Sequence, residues 1–203
     1  MKRFAVNIVI LPPDPVMDLV LKWNAKLREN QPANIALSKS QYLPHISIVM
    51  GCIRADQFGQ AKSTLQSIAA MHRVLELYIP HIRIVNASSS RQIITFDVNL
   101  SQELNSFHEA IVKAFRPLLT QDADESNIND PPPITSDTLH WINHYIPQQC
   151  FDNFWPHITV GFGDATLEFH PVSFPGSRLA ICHLGNHCTC KTILAETNLT
   201  TWR

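Results

Sequence analysis

Charge is scarce in this sequence. Only 16% of its 203 residues are Asp, Glu, Lys or Arg, and these nearly cancel, leaving a net charge of −1. So balanced a chain carries no broad basic field of the kind that holds long nucleic acid. It has no run of about 18 apolar residues, so no membrane-spanning helix is expected. A glycine-rich phosphate loop is also missing, which argues against a nucleoside triphosphatase. The five cysteines, an odd number in a chain of this length, point to reduced thiols and a cytoplasmic protein rather than to a disulfide framework. What is plentiful is apolar. Hydrophobic residues make up 45%, which indicates a globular chain, and 203 residues suffice for one sizeable core or two small lobes packed together.

Periodicity supplies the elements. Phe4 to Leu11 is a Val/Ile-rich run that fits a strand buried on both faces. Following Met1-Lys2-Arg3 it has the outline of a short signal peptide. It lacks a small-residue cleavage site, however, and runs into Pro12-Pro13-Asp14-Pro15, so the strand is the reading adopted. Val16, Leu19, Val20, Trp23 and Leu27 mark a helix started by Asp14 and Pro15. His45 to Ile53 alternates as a strand, and Ala55 to Met71 has helical spacing. Leu75 to Ile79 and Ile94 to Val98 alternate, with Ser88-Ser89-Ser90 between them, and predict one long hairpin. Ser101 is placed to cap a helix with the stripe Leu104, Phe107, Ile111, Ala114, Phe115 and Leu118.

Residues 120–136, acidic and with three consecutive prolines, read as a long mobile loop, either a solvated linker or a lid. A short helix is expected around Leu139, Ile142 and Ile146. Strands are then expected at His157 to Phe162, Leu179 to Leu184 and Thr192 to Thr197, with a turn at Gly185-Asn186. Helices in each half covering an antiparallel sheet make this an α+β fold.

One short segment occurs twice. Pro44-His45-Ile46-Ser47-Ile48-Val49-Met50-Gly51 and Pro156-His157-Ile158-Thr159-Val160-Gly161-Phe162-Gly163 share Pro, His, Ile and the last Gly, and pair Ser with Thr and Ile with Val. Side chains alternate along a strand, so His45 and Ser47 share one face while Ile46 and Ile48 share the other. The same holds for His157 and Thr159 against Ile158 and Val160. Each copy therefore sends two apolar groups into a core and presents an imidazole and a hydroxyl on the opposite side. A hydroxyl donates to a phosphoryl oxygen, and an imidazole carries or accepts a proton near neutral pH. One such pair cannot be acid and base in the same step. Two pairs facing a common phosphate can be, and no metal is needed for either role.

The two segments resemble the paired His-x-Thr/Ser-x motifs of the two-histidine phosphoesterase superfamily, which includes the LigT-like 2′-5′ RNA ligases and cyclic phosphodiesterases. The likeness extends to the opening strand and to the closing hairpin from Leu184-Gly185-Asn186 to Leu194. It implies one bilobal unit over residues 1–203 with pseudo-twofold symmetry: two antiparallel sheets, helices on their outer faces and a central groove. It further implies a metal-free phosphodiesterase, without other cofactors, acting on a 2′,3′-cyclic phosphate or a 2′-5′ linkage. His45 and His157 would be the acid–base pair, with the order open, and Ser47 and Thr159 the phosphate ligands. The partner would be a small nucleotide or an RNA end bearing a phosphodiester, and the protein a monomer. RNA joining, the reverse reaction, stays open. So does a non-catalytic nucleotide- or phosphate-binding protein that keeps the groove.

Tyr42 and Trp155, close ahead of the two histidines, are candidates to stack a base, or to pack at the strand entry. His183, His187, Cys188 and Cys190 cluster without zinc-finger spacing and read as hairpin residues. His140 and His144 have the i, i+4 spacing of a metal pair, but Trp141 stands where a zinc protease needs Glu. Cys52 and Cys150 read as buried thiols.

Overall fold

The computed structural model describes residues 2–31, 35–88, 91–163 and 168–201. Strand β1 (Arg3–Leu11) is buried from Ala5 onward, and within that stretch only Asn7 is polar. Strands covered on both faces have this unbroken Val/Ile character. Helix α1 (Asp14–Asn30) begins after Pro13 with Pro15 in its first turn, where the missing N–H would have had no partner. It buries Val16, Met17, Val20, Trp23 and Leu27 along one side. Strand β2 (Ile46–Arg54) leads through a short turn into α2 (Phe58–Met71). Strands β3 (Leu75–Ile79), β4 (His81–Ser88) and β5 (Arg91–Asp97) follow. Helix α3 (Gln102–Phe115) is capped as expected, the Ser101 hydroxyl accepting the Leu104 N–H at 3.1 Å. Helix α4 (Ser136–Gln149) and strands β6 (His157–Phe162), β7 (Val172–Gly176), β8 (Arg178–Leu184) and β9 (Cys190–Asn198) complete the chain.

The architecture is α+β with two antiparallel sheets, as expected, though of unequal size. Seven strands run in the order β4-β5-β6-β2-β1-β8-β9, and β3 pairs with β7 in a second sheet. The two repeat-bearing strands, β2 and β6, are neighbours near the middle of the large sheet. Helix α1 packs on β6, α2 on β8 and β9, and α3 on β2. Helix α4 packs on β2 and on the turn at Asn186–Cys188. A smaller apolar cluster of Val9, Leu11, Met17, Leu43, Ala180, Cys182 and Cys190 stands apart from the main core.

Three expectations change. The hairpin partner of β5 is β4, with Ile82 opposite Phe96; Leu75–Ile79 instead pairs with Val172–Gly176. Pro80 separates the two stretches, and Ser89 and Ser90 lie outside the described residues. Strand β7 is absent from the sequence reading because it contains Pro175, which a two-stranded edge tolerates. Residues 120–136 are a docked segment and not a mobile loop. Ala123, Asn127, Ile128 and Ile134 are buried, Asp124 and Asn127 close a capping box, and Asn129 N–H reaches the Leu184 carbonyl at 2.7 Å. Its acidic residues bond within the protein. Asp130 accepts from the Tyr42 hydroxyl, the Asn186 N–H and Lys191.

Candidate active site

The decisive contact is apolar. Ile46 of β2 pairs with Ile158 of β6 in antiparallel register, and both are fully buried. Continuing that register by one residue either way sets His45 opposite Thr159 and Ser47 opposite His157. All four are half-buried, while their alternating neighbours Ile46, Ile48, Ile158 and Val160 are inaccessible. The two imidazole–hydroxyl pairs thus share one face of the sheet, related by a local twofold axis through the isoleucine pair. His45 Nδ1 lies 2.7 Å from the Leu43 carbonyl, and His157 Nδ1 lies 2.9 Å from the Trp155 carbonyl. A carbonyl only accepts, so each neutral ring carries its proton on Nδ1 and keeps the Nε2 lone pair for chemistry.

No family profile matches this sequence, and no curated protein matches it. Solved structures do match its shape. TT0787 of Thermus thermophilus superimposes with a TM-score of 0.63 at 12% identity, over 97% of this chain and 98% of that one. E. coli LigT complexed with NADP+ gives 0.56 at 14% identity, over 99% and 100%. E. coli LigT complexed with 3′-AMP gives 0.54 at 13%, over 98% and 100%. This chain has the LigT fold.

Within the LigT fold of this chain, the two motif copies differ in what supports them. On the β2 side, Asn7 Nδ2 donates to Ser47 Oγ at 2.8 Å, and the Tyr145 hydroxyl of α4 also meets Ser47. With Asn7 donating, the one Ser47 hydroxyl hydrogen is shared between the Tyr145 oxygen and any anion bound beside it. On the β6 side, Asp97 is the cross-strand partner of His157 and is almost fully buried. Its carboxylate receives Arg83 Nε at 2.7 Å and Thr95 Oγ1 at 3.1 Å, with His81 Nε2 at 3.4 Å. Thr95 is the register partner of Thr159.

Burial pushes both imidazoles below their ordinary pKa. His45 is lowered to about 4, the Leu43 carbonyl opposing the shift and the charge of His157 adding to it. His157 is lowered by burial, while the Trp155 carbonyl and the Asp97 carboxylate oppose the shift and Arg83 adds to it. The charge of one histidine thus reaches the ring of the other, as it would for two groups around one site.

The two expected stacking residues are placed differently. The Trp155 ring stacks on His157 itself, centroids 4.2 Å apart, with the Arg83 guanidinium 5.1 Å from the indole. Tyr42 directs its hydroxyl to Asp130 and lines a cleft of about 320 Å³ with Ile35, Asp130, Asn186 and His187. The repeated glycines also diverge. Gly163 ends β6 at φ +104°, whereas Gly51 lies inside β2, where a Cβ would stand 3.0 Å from the Thr120 carbonyl.

Tyr145, Arg83 and Asp97 do not stand out in the sequence. Asn7 leaves a signal, an amide alone in an otherwise apolar buried strand. Three other side chains with reactive nitrogen or sulfur are held away from the motifs. His183 Nε2 meets the Asn127 carbonyl, Cys188 Sγ meets the Thr138 carbonyl, and His144 Nδ1 meets the His140 carbonyl. Cys52 and Cys150 are buried, and burial raises both thiols to about 12. Among the described residues no three His, Cys, Asp or Glu side chains are grouped to hold a metal, and no helix is long and apolar enough to cross a membrane.

Proposed function

We propose that this protein is a LigT-like two-histidine phosphodiesterase. Its substrates are 2′,3′-cyclic phosphates or 2′-5′ linkages of nucleotides or RNA ends. The observation that carries this reading is the Ile46–Ile158 pair, which turns two distant copies of one motif toward a common face. That E. coli LigT has been seen with 3′-AMP and with NADP+ supports a small nucleotide ligand.

In the proposed mechanism the Ser47 and Thr159 hydroxyls donate to non-bridging phosphoryl oxygens. One imidazole takes the proton of the attacking water through Nε2. The other, as imidazolium, gives the Nε2 proton to the ribose oxygen as the P–O bond breaks. A proton enters the first ring and leaves the second, so the pair is restored by one exchange with solvent. Without substrate both rings are neutral at pH 7, and a bound phosphate anion favours the imidazolium on one of them. No metal enters these steps. We further propose that residues 1–203 act as a single bilobal unit, as a cytoplasmic monomer.

The test is turnover of nucleoside 2′,3′-cyclic phosphates and 2′-5′ dinucleotides by the wild type, His45→Ala and His157→Ala. Turnover that either variant abolishes supports the enzyme. A second reading, a nucleotide binder without turnover, draws on how far burial disfavours the imidazolium at His45. Nucleotide affinity without any hydrolysis would establish that reading instead.

A further inference from the structure

The surroundings of the two imidazoles are unequal in charge, and this bears on a question the motif leaves open: which histidine is acid and which is base. The assignment rests on the phosphodiesterase reading above. His157 faces a carboxylate. Asp97 sits directly across the β5–β6 ladder from it, is almost fully buried, and is fixed by Arg83 Nε at 2.7 Å and Thr95 Oγ1 at 3.1 Å. The groups around His157 are Asp97 and Thr95 on β5, Arg83 and His81 on β4, His45 beside β2, and Trp155 ahead of its own strand. Of these only Asp97 carries negative charge.

His45 has no such neighbour among the groups that set its charge. Those are burial, the Leu43 carbonyl and His157. An imidazolium is therefore better accommodated at His157 than at His45, because a carboxylate within the same buried layer favours the charged ring. Arg83 works against Asp97 here while also fixing its orientation.

We propose that Asp97 is a positioning residue that makes His157 the general acid and leaves His45 as the general base. In hydrolysis of a 2′,3′-cyclic phosphate, His45 Nε2 removes the proton from water as its oxygen bonds to phosphorus. The bond from phosphorus to one ribose oxygen breaks, and that oxygen takes the Nε2 proton of His157. Deprotonated His157 and protonated His45 then exchange one proton through solvent.

Two experiments test this. The first compares a nucleoside 2′,3′-cyclic phosphate with the 3′-(p-nitrophenyl phosphate) of the matching 2′-deoxynucleoside, which has no 2′-hydroxyl to attack in place of water. The nitrophenolate leaves without protonation. His157→Ala is expected to lose at least 10-fold less activity on the nitrophenyl ester than on the cyclic ester, while His45→Ala loses similarly on both. The opposite pattern, or equal losses, overturns the assignment. The second follows the imidazole C–H resonances by NMR through a pH titration. Asp97→Asn is expected to shift the His157 titration to lower pH and Arg83→Gln to higher pH, with His45 unmoved by either. Arg83 is half exposed, so its variant reports even where Asp97→Asn fails to fold. A His157 titration unmoved by the folded variants overturns the role of Asp97. If the wild type turns over neither ester, the phosphodiesterase reading fails, and the titration still decides whether Asp97 governs the charge of His157.

Discussion

His45 and His157 sit on matched scaffolds in unmatched neighbourhoods. Each stands at the head of a strand after a proline, each has Nδ1 on the carbonyl two residues back, and each is followed by a hydroxyl on the same face. Around His45 the supporting groups are neutral: Asn7 and Tyr145, both directed at Ser47. Around His157 stands a charged pair, Asp97 and Arg83, with His81 beside the carboxylate and an indole over the ring. The repeat accounts for what the copies share, and neighbouring strands account for what they do not. A pair of like residues thus acquires unlike roles through contacts that lie outside the motif.

That comparison can be broken most sharply at the rings themselves. His45→Ala and His157→Ala should each lower kcat/KM on a 2′,3′-cyclic nucleotide by about 10²–10⁴-fold, with thermal melts close to wild type. The double variant should lose little beyond the worse single, since the two act in one step. Next come the hydroxyls. Ser47→Ala and Thr159→Val should each cost on the order of 10²-fold in kcat, because each removes a donor aimed at the phosphoryl charge. Equal binding and turnover after either change would detach that hydroxyl from the site.

The glycines sharpen the comparison through stability. Gly51→Ala pushes a methyl into the Thr120 carbonyl at 3.0 Å and the Leu119 side chain at 3.1 Å, so a loss of about 1–3 kcal/mol is expected in denaturant titrations. Gly163→Ala meets only the flexible end of Gln31 but must hold φ +104°, a cost of about 1–2 kcal/mol.

Acid should separate the copies least. A ring whose folded pKa lies below its unfolded value of about 6.5 takes up protons on unfolding, so its share of stability is present above that pH and declines as pH falls toward the folded value. For buried His108, lowered to about 4 by burial, the loss between pH 7 and pH 5 is roughly 2 kcal/mol. Half-buried His45 contributes less. His45→Gln should still flatten this slope more than His157→Gln, as Asp97 opposes the shift at His157.

Much of the fold is legible because it is written in local periodicity. The alternation of His45–Ile48 and of His157–Val160 marks the strand faces directly, and the Ser101 cap and the stripe from Leu104 to Phe115 mark α3. Partner choice is not legible. Leu75–Ile79 alternates as any half-buried strand does, and nothing within it names β7, which lies about a hundred residues further along the chain. Residues 120–136 mislead by composition. Polar side chains read as solvated, but here Asp124, Asn127 and Asp130 bond to the protein, and Ile128 and Ile134 are buried. At the site, histidines and hydroxyls stand out by repetition. Asp97 and Arg83 do not, since a carboxylate and a guanidinium on a hairpin look like surface until β6 is laid beside them.

The carbonyl beneath each Nδ1 has a broader consequence. Because it belongs to the residue two places upstream, the choice of tautomer and the tilt of the ring belong to a stretch of a few residues, not to the assembled groove. Each motif is a self-contained cartridge that arrives with its lone pair already aimed. Exchanging residues 43–48 with 155–160 would therefore carry both rings across intact, and only the company they keep would change hands.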